Sequence, residues 1–170
     1  SRRAGRCLTA SARNLRALLA AGHRSLPRLL RVPGPTSHSY FSQRLRLHYL
    51  DWGNPTAPPL LLIHGNRDHA HNWDWTAARL QDRYHIIAPD LRGHGDSAWS
   101  PEGSYGMDAF VYDFAQFVNG LGYDQVSIVA HSLGGNIATR FTGLFPAKVA
   151  KLVNIEGLGP SPKLIAEGAK

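Results

Sequence analysis

The chain has 170 residues, a length that fits one domain with a short appendage and argues against two full domains. Its 19 Lys and Arg against 12 Asp and Glu give a net charge of +7, yet residues 1–46 hold ten arginines and no acid, so the later residues are mildly acidic and nucleic acid is excluded as a partner of the folded part. An apolar content of 43% with 9% aromatics excludes disorder for the chain as a whole, and one cysteine, Cys7, excludes an internal disulfide or a Cys-rich metal site.

In chain order, Ser1 to Pro35 is rich in Arg, Ser, Ala and Leu, with Leu15, Leu18 and Leu19 on one helical face, a pattern that resembles a mitochondrial transit peptide. A cytoplasmic protein with a basic, poorly ordered extension is the plainer expectation, with mitochondrial targeting as its alternative. Pro33, Gly34 and Pro35 mark a linker over Val32 to Ser39, which divides residues 1–38, extension and linker, from a domain over residues 39–170. From Leu45 onward, strands alternate with helices, as in an α/β domain with a mostly parallel sheet. Leu45 to Trp52 alternates and reads as an edge strand. Leu60 to Ile63, Tyr84 to Ala88, Val126 to Ala130 and Val149 to Ile155 are short apolar runs, expected as strands covered on both faces. Phe110, Phe114, Phe117 and Val118 predict a helix over Asp108 to Gly120, and Ile137, Phe141 and Leu144 predict another over Leu133 to Phe145, ended by Pro146. The longest apolar run, Pro58 to Ile63, is strand-sized, whereas a membrane span needs ~18 residues. The expectation is a soluble protein with no membrane span; the sequence sets no oligomeric state.

The segment richest in chemistry is Val126-Ser127-Ile128-Val129-Ala130-His131-Ser132-Leu133-Gly134-Gly135, an apolar strand that runs into a small-x-Ser-x-Gly turn and then a helix. A sharp strand-to-helix turn holds a serine in a strained backbone conformation and demands small neighbours, which Ala130, Gly134 and Gly135 supply. Ser132 is expected to point into solvent, and the free amide of Leu133 at the helix start can donate to an oxyanion. Leu60-Leu61-Leu62-Ile63-His64-Gly65-Asn66 is a strand ending in His-Gly, where the Asn66 amide offers a second donor. Ala88-Pro89-Asp90-Leu91-Arg92-Gly93-His94-Gly95-Asp96-Ser97 follows the next strand.

These three segments, in this order, resemble the α/β-hydrolase superfamily from about Leu45 to Pro160. The resemblance implies an α/β-hydrolase-type sheet of which this chain holds only the N-terminal part, six strands of eight, and a serine hydrolase acting through an acyl-enzyme on an ester, lactone or related carbonyl compound. It implies Ser132 as nucleophile, Leu133 and Asn66 as the oxyanion hole, and a small-molecule substrate. His64 is expected to buttress its loop, and Asp90 with Arg92 to brace a turn. The family order is Ser, then an acid, then His, but the last histidine here is His131, so the catalytic histidine is missing and the chain alone is expected to be inactive. Glu156 matches the place at the end of the sixth strand where haloalkane dehalogenases of one type carry their acid; the more usual site follows the seventh strand, beyond these six, and the alternative for Glu156 is a loop glutamate capping backbone amides. Asn66 is similar to the halide-binding asparagine of those enzymes. Their nucleophile is Asp followed by Trp, whereas Ser132 is followed by Leu133, which disfavours alkyl-enzyme chemistry.

The His-rich run Asp68-His69-Ala70-His71-Asn72-Trp73-Asp74 matches no complete metallohydrolase spacing and is expected to line a pocket rather than bind metal. Trp73 and Trp75 are expected to pack against the sheet. Gly157-Leu158-Gly159-Pro160 is too short and Pro-interrupted for a phosphate loop, so no cofactor is expected. The competing reading is a noncatalytic α/β-hydrolase-like binding module.

Overall fold

A computed structural model of the chain describes residues 34–157. It opens with a hairpin of β1 (Thr36–Ser42) and β2 (Leu45–Asp51), paired antiparallel from Ser42 opposite Leu45 to Thr36 opposite Asp51. The two turn residues, Gln43 and Arg44, both take positive φ (47° and 66°), the sense of turn whose twist suits a two-residue hairpin. The linker expected as far as Ser39 therefore gives way to β1 at Thr36, because these small polar residues pair with β2 instead of leading up to it. β2 is likewise not the edge strand; β1 takes that place.

Four parallel strands follow: β3 (Pro59–Ile63), β4 (His85–Pro89), β5 (Val126–His131) and β6 (Val149–Ile155). The sheet order is β1-β2-β4-β3-β5-β6, with β2 antiparallel to β4. A short 3-10 helix, Ala70–Trp73, leads into α1 (Asp74–Leu80); α2 (Met107–Leu121) connects β4 to β5, and α3 (Leu133–Leu144) connects β5 to β6. The helix and strand bounds lie within a residue or two of the sequence expectations.

Both faces of β3 and β4 are buried, which is why their sequences are apolar without alternation. Leu61, Ile63 and Ile87 pack with Phe110, Phe114, Phe117 and Val118 of α2 and with Ile137, Ala138 and Phe141 of α3. Leu60, Leu62, Ile86 and Ala88 face the other way, against Trp52, Ala70 and Ala77, with Trp73 packed on the same cluster. Each large aliphatic or aromatic side chain so buried contributes roughly 1.5–3 kcal/mol of transfer free energy. Trp75 departs from expectation: it is 77% exposed on α1, and Arg79 stacks over its ring.

Among the described residues, β6 is covered on one face only. Val149 and Leu152 pack on the α2–α3 cluster, while Val153 and Ile155 are exposed beside a groove of about 240 Å³ lined by Leu60, Leu80, Tyr84 and Val129. Among the described residues no helix is long and apolar enough to cross a membrane.

Candidate functional site

The carboxyl ends of β3, β4, β5 and β6 bring the chemistry-bearing segments of the sequence to one edge of the sheet. At the end of β5 the chain turns directly into α3 through Ser132, whose backbone sits at φ 49° and ψ −114°. A residue with a Cβ is rare in that region and stores strain there. The turn is held from both sides: the Ser132 amide donates to the Ile155 carbonyl (2.9 Å), and the Ser132 carbonyl accepts from the Asn136 amide (3.1 Å). Ser132 is half-buried, not turned fully into solvent as expected, because the loop after β3 leans on it.

That contact explains two glycines. A Cβ on Gly65 would stand 2.9 Å from His131 Nδ1 and 3.2 Å from the Ser132 Cβ. One on Gly134 would stand 2.5 Å from the His64 carbonyl oxygen and 2.8 Å from Ile63. Only glycine lets the His-Gly-Asn loop and the start of α3 approach this closely. Asn66 is exposed on the loop, and Leu133 is the first residue of α3, where backbone amides lack intrahelical acceptors. Leu133 thus follows Ser132 directly, and Asn66 follows the glycine that approaches it.

His64 braces the loop. Its Nδ1–H donates to the Gly65 carbonyl (2.7 Å) and its Nε2 accepts from the Leu91 amide (3.0 Å), which assigns the neutral tautomer. Burial lowers its pKa from the ordinary imidazole range, outweighing the opposing bond to the Gly65 carbonyl and the pull of Asp90.

Asp90 braces its surroundings too, though through other partners than Arg92. Its carboxylate accepts from the Ala70 amide (2.7 Å), the Asp96 amide (3.0 Å) and His48 Nδ1 (2.7 Å), tying the middle of β2 and the loop after β4 to the 3-10 helix. Arg92 turns away to α2: its Nε and Nη2 donate to the two oxygens of Asp113 (2.6 and 2.7 Å), and its Nη1 donates to the Ser104 carbonyl (2.8 Å). Sequence reasoning missed both His48 and Asp113. A histidine on the inward side of a strand, and an acid inside the Phe110–Phe114–Phe117 stripe, were the signals available.

Glu156 follows β6 at φ 56° and is exposed. It comes one residue after Ile155, the acceptor for the Ser132 amide, so the register places the two residues at the same end of neighbouring strands. The capping of the Gly157 amide falls to Asn154 Oδ1 (2.8 Å) rather than to Glu156. His131, the last histidine of the chain, lies in β5 just ahead of Ser132.

In the His-rich run, Asp68 accepts from the His69 amide and from Asn72 Nδ2 (2.8 and 2.9 Å), and Asp74 lies 3.2 Å from His71 Nδ1, so these side chains pair locally on the surface. His48, Asp90 and Asp96 bring ligand atoms within 4.8 Å of one another, but donor hydrogens of His48 and of the Asp96 amide already occupy the Asp90 oxygen that a cation would need.

A family model for the alpha/beta hydrolase fold matches residues 58–167. Epoxide hydrolase 4 of Mus musculus is 31% identical over 139 residues, which cover 79% of this chain and 39% of that protein. A serine hydrolase-like protein of Danio rerio is 31% identical over 117 residues, covering 68% of this chain and 36% of that one. The crystal structure of a membrane phospholipase A, a bacterial virulence factor, matches with a TM-score of 0.68 at 33% identity, over 81% of this chain and 44% of its own. The chain spans less than half the length of these relatives. By its match over residues 58–167 and its six-stranded, mostly parallel sheet, this chain belongs to the alpha/beta hydrolase fold family.

Proposed function

We propose that the protein is a serine hydrolase that cleaves an ester, lactone or related carbonyl substrate through an acyl-enzyme. The observation that carries this reading is the backbone of Ser132, held at φ 49° between a buried strand and the first turn of a helix. In this reading the Ser132 hydroxyl attacks the carbonyl carbon, the Leu133 and Asn66 amides hold the developing oxyanion, and water releases the acyl group. Glu156 orients an imidazole supplied by a histidine downstream of Ser132 and stabilises its charged form. The relatives named epoxide hydrolases support hydrolytic chemistry in general. An alkyl-enzyme ester of the kind that opens an epoxide requires a carboxylate nucleophile, and this chain has a hydroxyl at the turn.

The second reading is a noncatalytic binding module, in which Ser132 needs no partner imidazole; the nine histidines of the 170 residues all precede Ser132. In either reading, hydrolysis by the 170 residues alone is expected not to depend on Ser132, with a rate that matches that of Ser132→Ala. A form that carries a histidine downstream of Ser132 decides between the readings. With a fluorophosphonate probe, the adduct is expected on the Ser132 peptide and absent in Ser132→Ala. A folded form of that length with no adduct at Ser132 removes the nucleophile assignment and leaves the binding module.

A further inference from the structure

We propose that Ser37, His48 and Asp90 form a second acyl-accepting site, in which the Ser37 hydroxyl takes an acyl group from an activated ester independently of Ser132. The Ser37 Oγ lies 2.6 Å from His48 Nε2, and His48 Nδ1 lies 2.7 Å from Asp90 Oδ2. This is the nucleophile–base–acid connectivity that activates a hydroxyl, and such a constellation is recognised by geometry and roles instead of sequence position.

The proton positions follow from the partners. Asp90 accepts from two backbone amides besides His48, so it acts as an acceptor toward the ring. Nδ1 therefore carries the hydrogen, and Nε2 presents its lone pair to the Ser37 O–H. His48 is also fixed through its backbone: its amide donates to Ser97 Oγ (2.8 Å), and its carbonyl accepts from the Asp90 amide (3.0 Å). The base and its orienting acid are buried, at 7% and 3% exposure, while Ser37 is exposed on β1. A preorganised base is thus shielded from water and directed at a hydroxyl that reagents can reach.

The hairpin register produces this arrangement. Ser39 stands opposite His48, so Ser37, two residues along the same face, is its diagonal neighbour. Among the described residues β1 is the outer strand, and alternate amides of an outer strand point off the sheet, within one residue of Ser37. The proposal takes one of them as the donor for the developing oxyanion.

In the proposed step Ser37 Oγ bonds to the acyl carbon of an aryl ester while its proton passes to His48 Nε2. The bond from the acyl carbon to the aryl oxygen then breaks, and the departing phenoxide takes the proton from Nε2. The products are an ester on Ser37 and one phenol, with His48 returned to its starting form.

The test treats the intact 170-residue chain with p-nitrophenyl acetate and, separately, with a fluorophosphonate, and maps the modified peptide by mass spectrometry. Modification is expected on the Ser37 peptide at wild-type level in Ser132→Ala and to be absent in Ser37→Ala. His48→Asn keeps an amide N–H toward Asp90 at the Nδ1 position and removes Nε2. In this variant, shown folded by circular dichroism, the labelling rate is expected to fall about a hundredfold, within the usual contribution of a general base. Should His48→Asn fail to fold, urea-unfolded wild type replaces it and is expected to lose Ser37 labelling. No adduct at Ser37, an adduct at Ser132 alone, or Ser37 labelling that survives in folded His48→Asn or in urea overturns the proposal. Because the readout assigns the adduct to a residue, failure at Ser37 and failure at Ser132 are told apart.

Discussion

On the flank built from β1, β2 and β4, buried polar groups are tied together: His48 to Asp90, His64 to the Gly65 carbonyl and Leu91 amide, Arg92 to Asp113. On the opposite flank, β6 presents Val153 and Ile155 to solvent at 53% and 41% exposure. The two flanks serve different ends. Polar ties hold loops at the carboxyl edge of the sheet in place, whereas among the described residues the apolar flank makes no such ties and leaves its surface open. The Ser132 turn is held by bonds to Ile155 and Asn136 even though, among the described residues, the exposed face of the neighbouring β6 is uncovered.

The largest effect is expected from breaking the tied flank. Asp113→Asn leaves the Arg92 guanidinium buried with no carboxylate, and removal of one partner of a buried pair costs about 3–5 kcal/mol. A urea denaturation midpoint measures the loss. The double variant Arg92→Met with Asp113→Leu is expected to lose less than Asp113→Asn alone, because it removes the charge instead of stranding it. Equal losses would show that helix packing, and not the ion pair, sets the cost.

The open flank predicts a change in association and little change in stability. An apolar strand at the end of a sheet is a template for pairing with another chain. Val153→Lys with Ile155→Lys places charges on the exposed face of β6 and is expected to turn a self-associating chain into a monomer, read by size-exclusion chromatography with light scattering. If the wild-type chain is already monomeric, the contrast between the flanks carries no consequence in solution.

A smaller effect concerns pH. Burial lowers the pKa of His64 in the folded chain, so the unfolded chain binds the proton more readily. The contribution is fully present above the unfolded value of about 6.5 and is lost as pH falls from there toward the lowered folded value. Stability measured by urea midpoints should therefore decline on acidification below that point. His64→Gln keeps an acceptor for the Leu91 amide and removes the titrating group, and its midpoint should fall less steeply over the same range.

The sequence carried the strands, the helices and the position of Ser132 because each depends on local pattern: apolar runs, helical spacing and small residues around a turn. It did not carry the partners. Asp90 and Arg92 lie two residues apart and suggested one mutual brace, yet the backbone after β4 sends Asp90 toward His48 and Arg92 toward α2. Thr36 to Ser39 looked like linker, since short polar residues become strand only when a hairpin supplies their pairing. Ser37 and His48 are 11 residues apart and meet because Gln43 and Arg44 adopt positive φ, an outcome neither residue type advertises. The half-burial of Ser132 depends on the Gly65 loop arriving from 67 positions earlier in the chain, which periodicity cannot register.

The smallest effect tests whether the Ser132 turn belongs with the tied region in storing strain for use. At φ 49° and ψ −114°, Ser132 adopts a conformation that costs a residue with a Cβ on the order of 1–3 kcal/mol. Ser132→Ala keeps the Cβ and the strain, removing only the hydroxyl, so its stability should stay within about 0.5 kcal/mol of wild type. Ser132→Gly removes the Cβ and releases the strain, offset by roughly 0.5–1 kcal/mol from the freedom glycine adds to the unfolded chain. The net expectation is that Ser132→Gly is more stable than Ser132→Ala by about 1 kcal/mol, read from paired urea midpoints. A glycine variant less stable than the alanine variant would mean that the turn is unstrained, and that the bonds to Ile155 and Asn136 alone hold the serine in place.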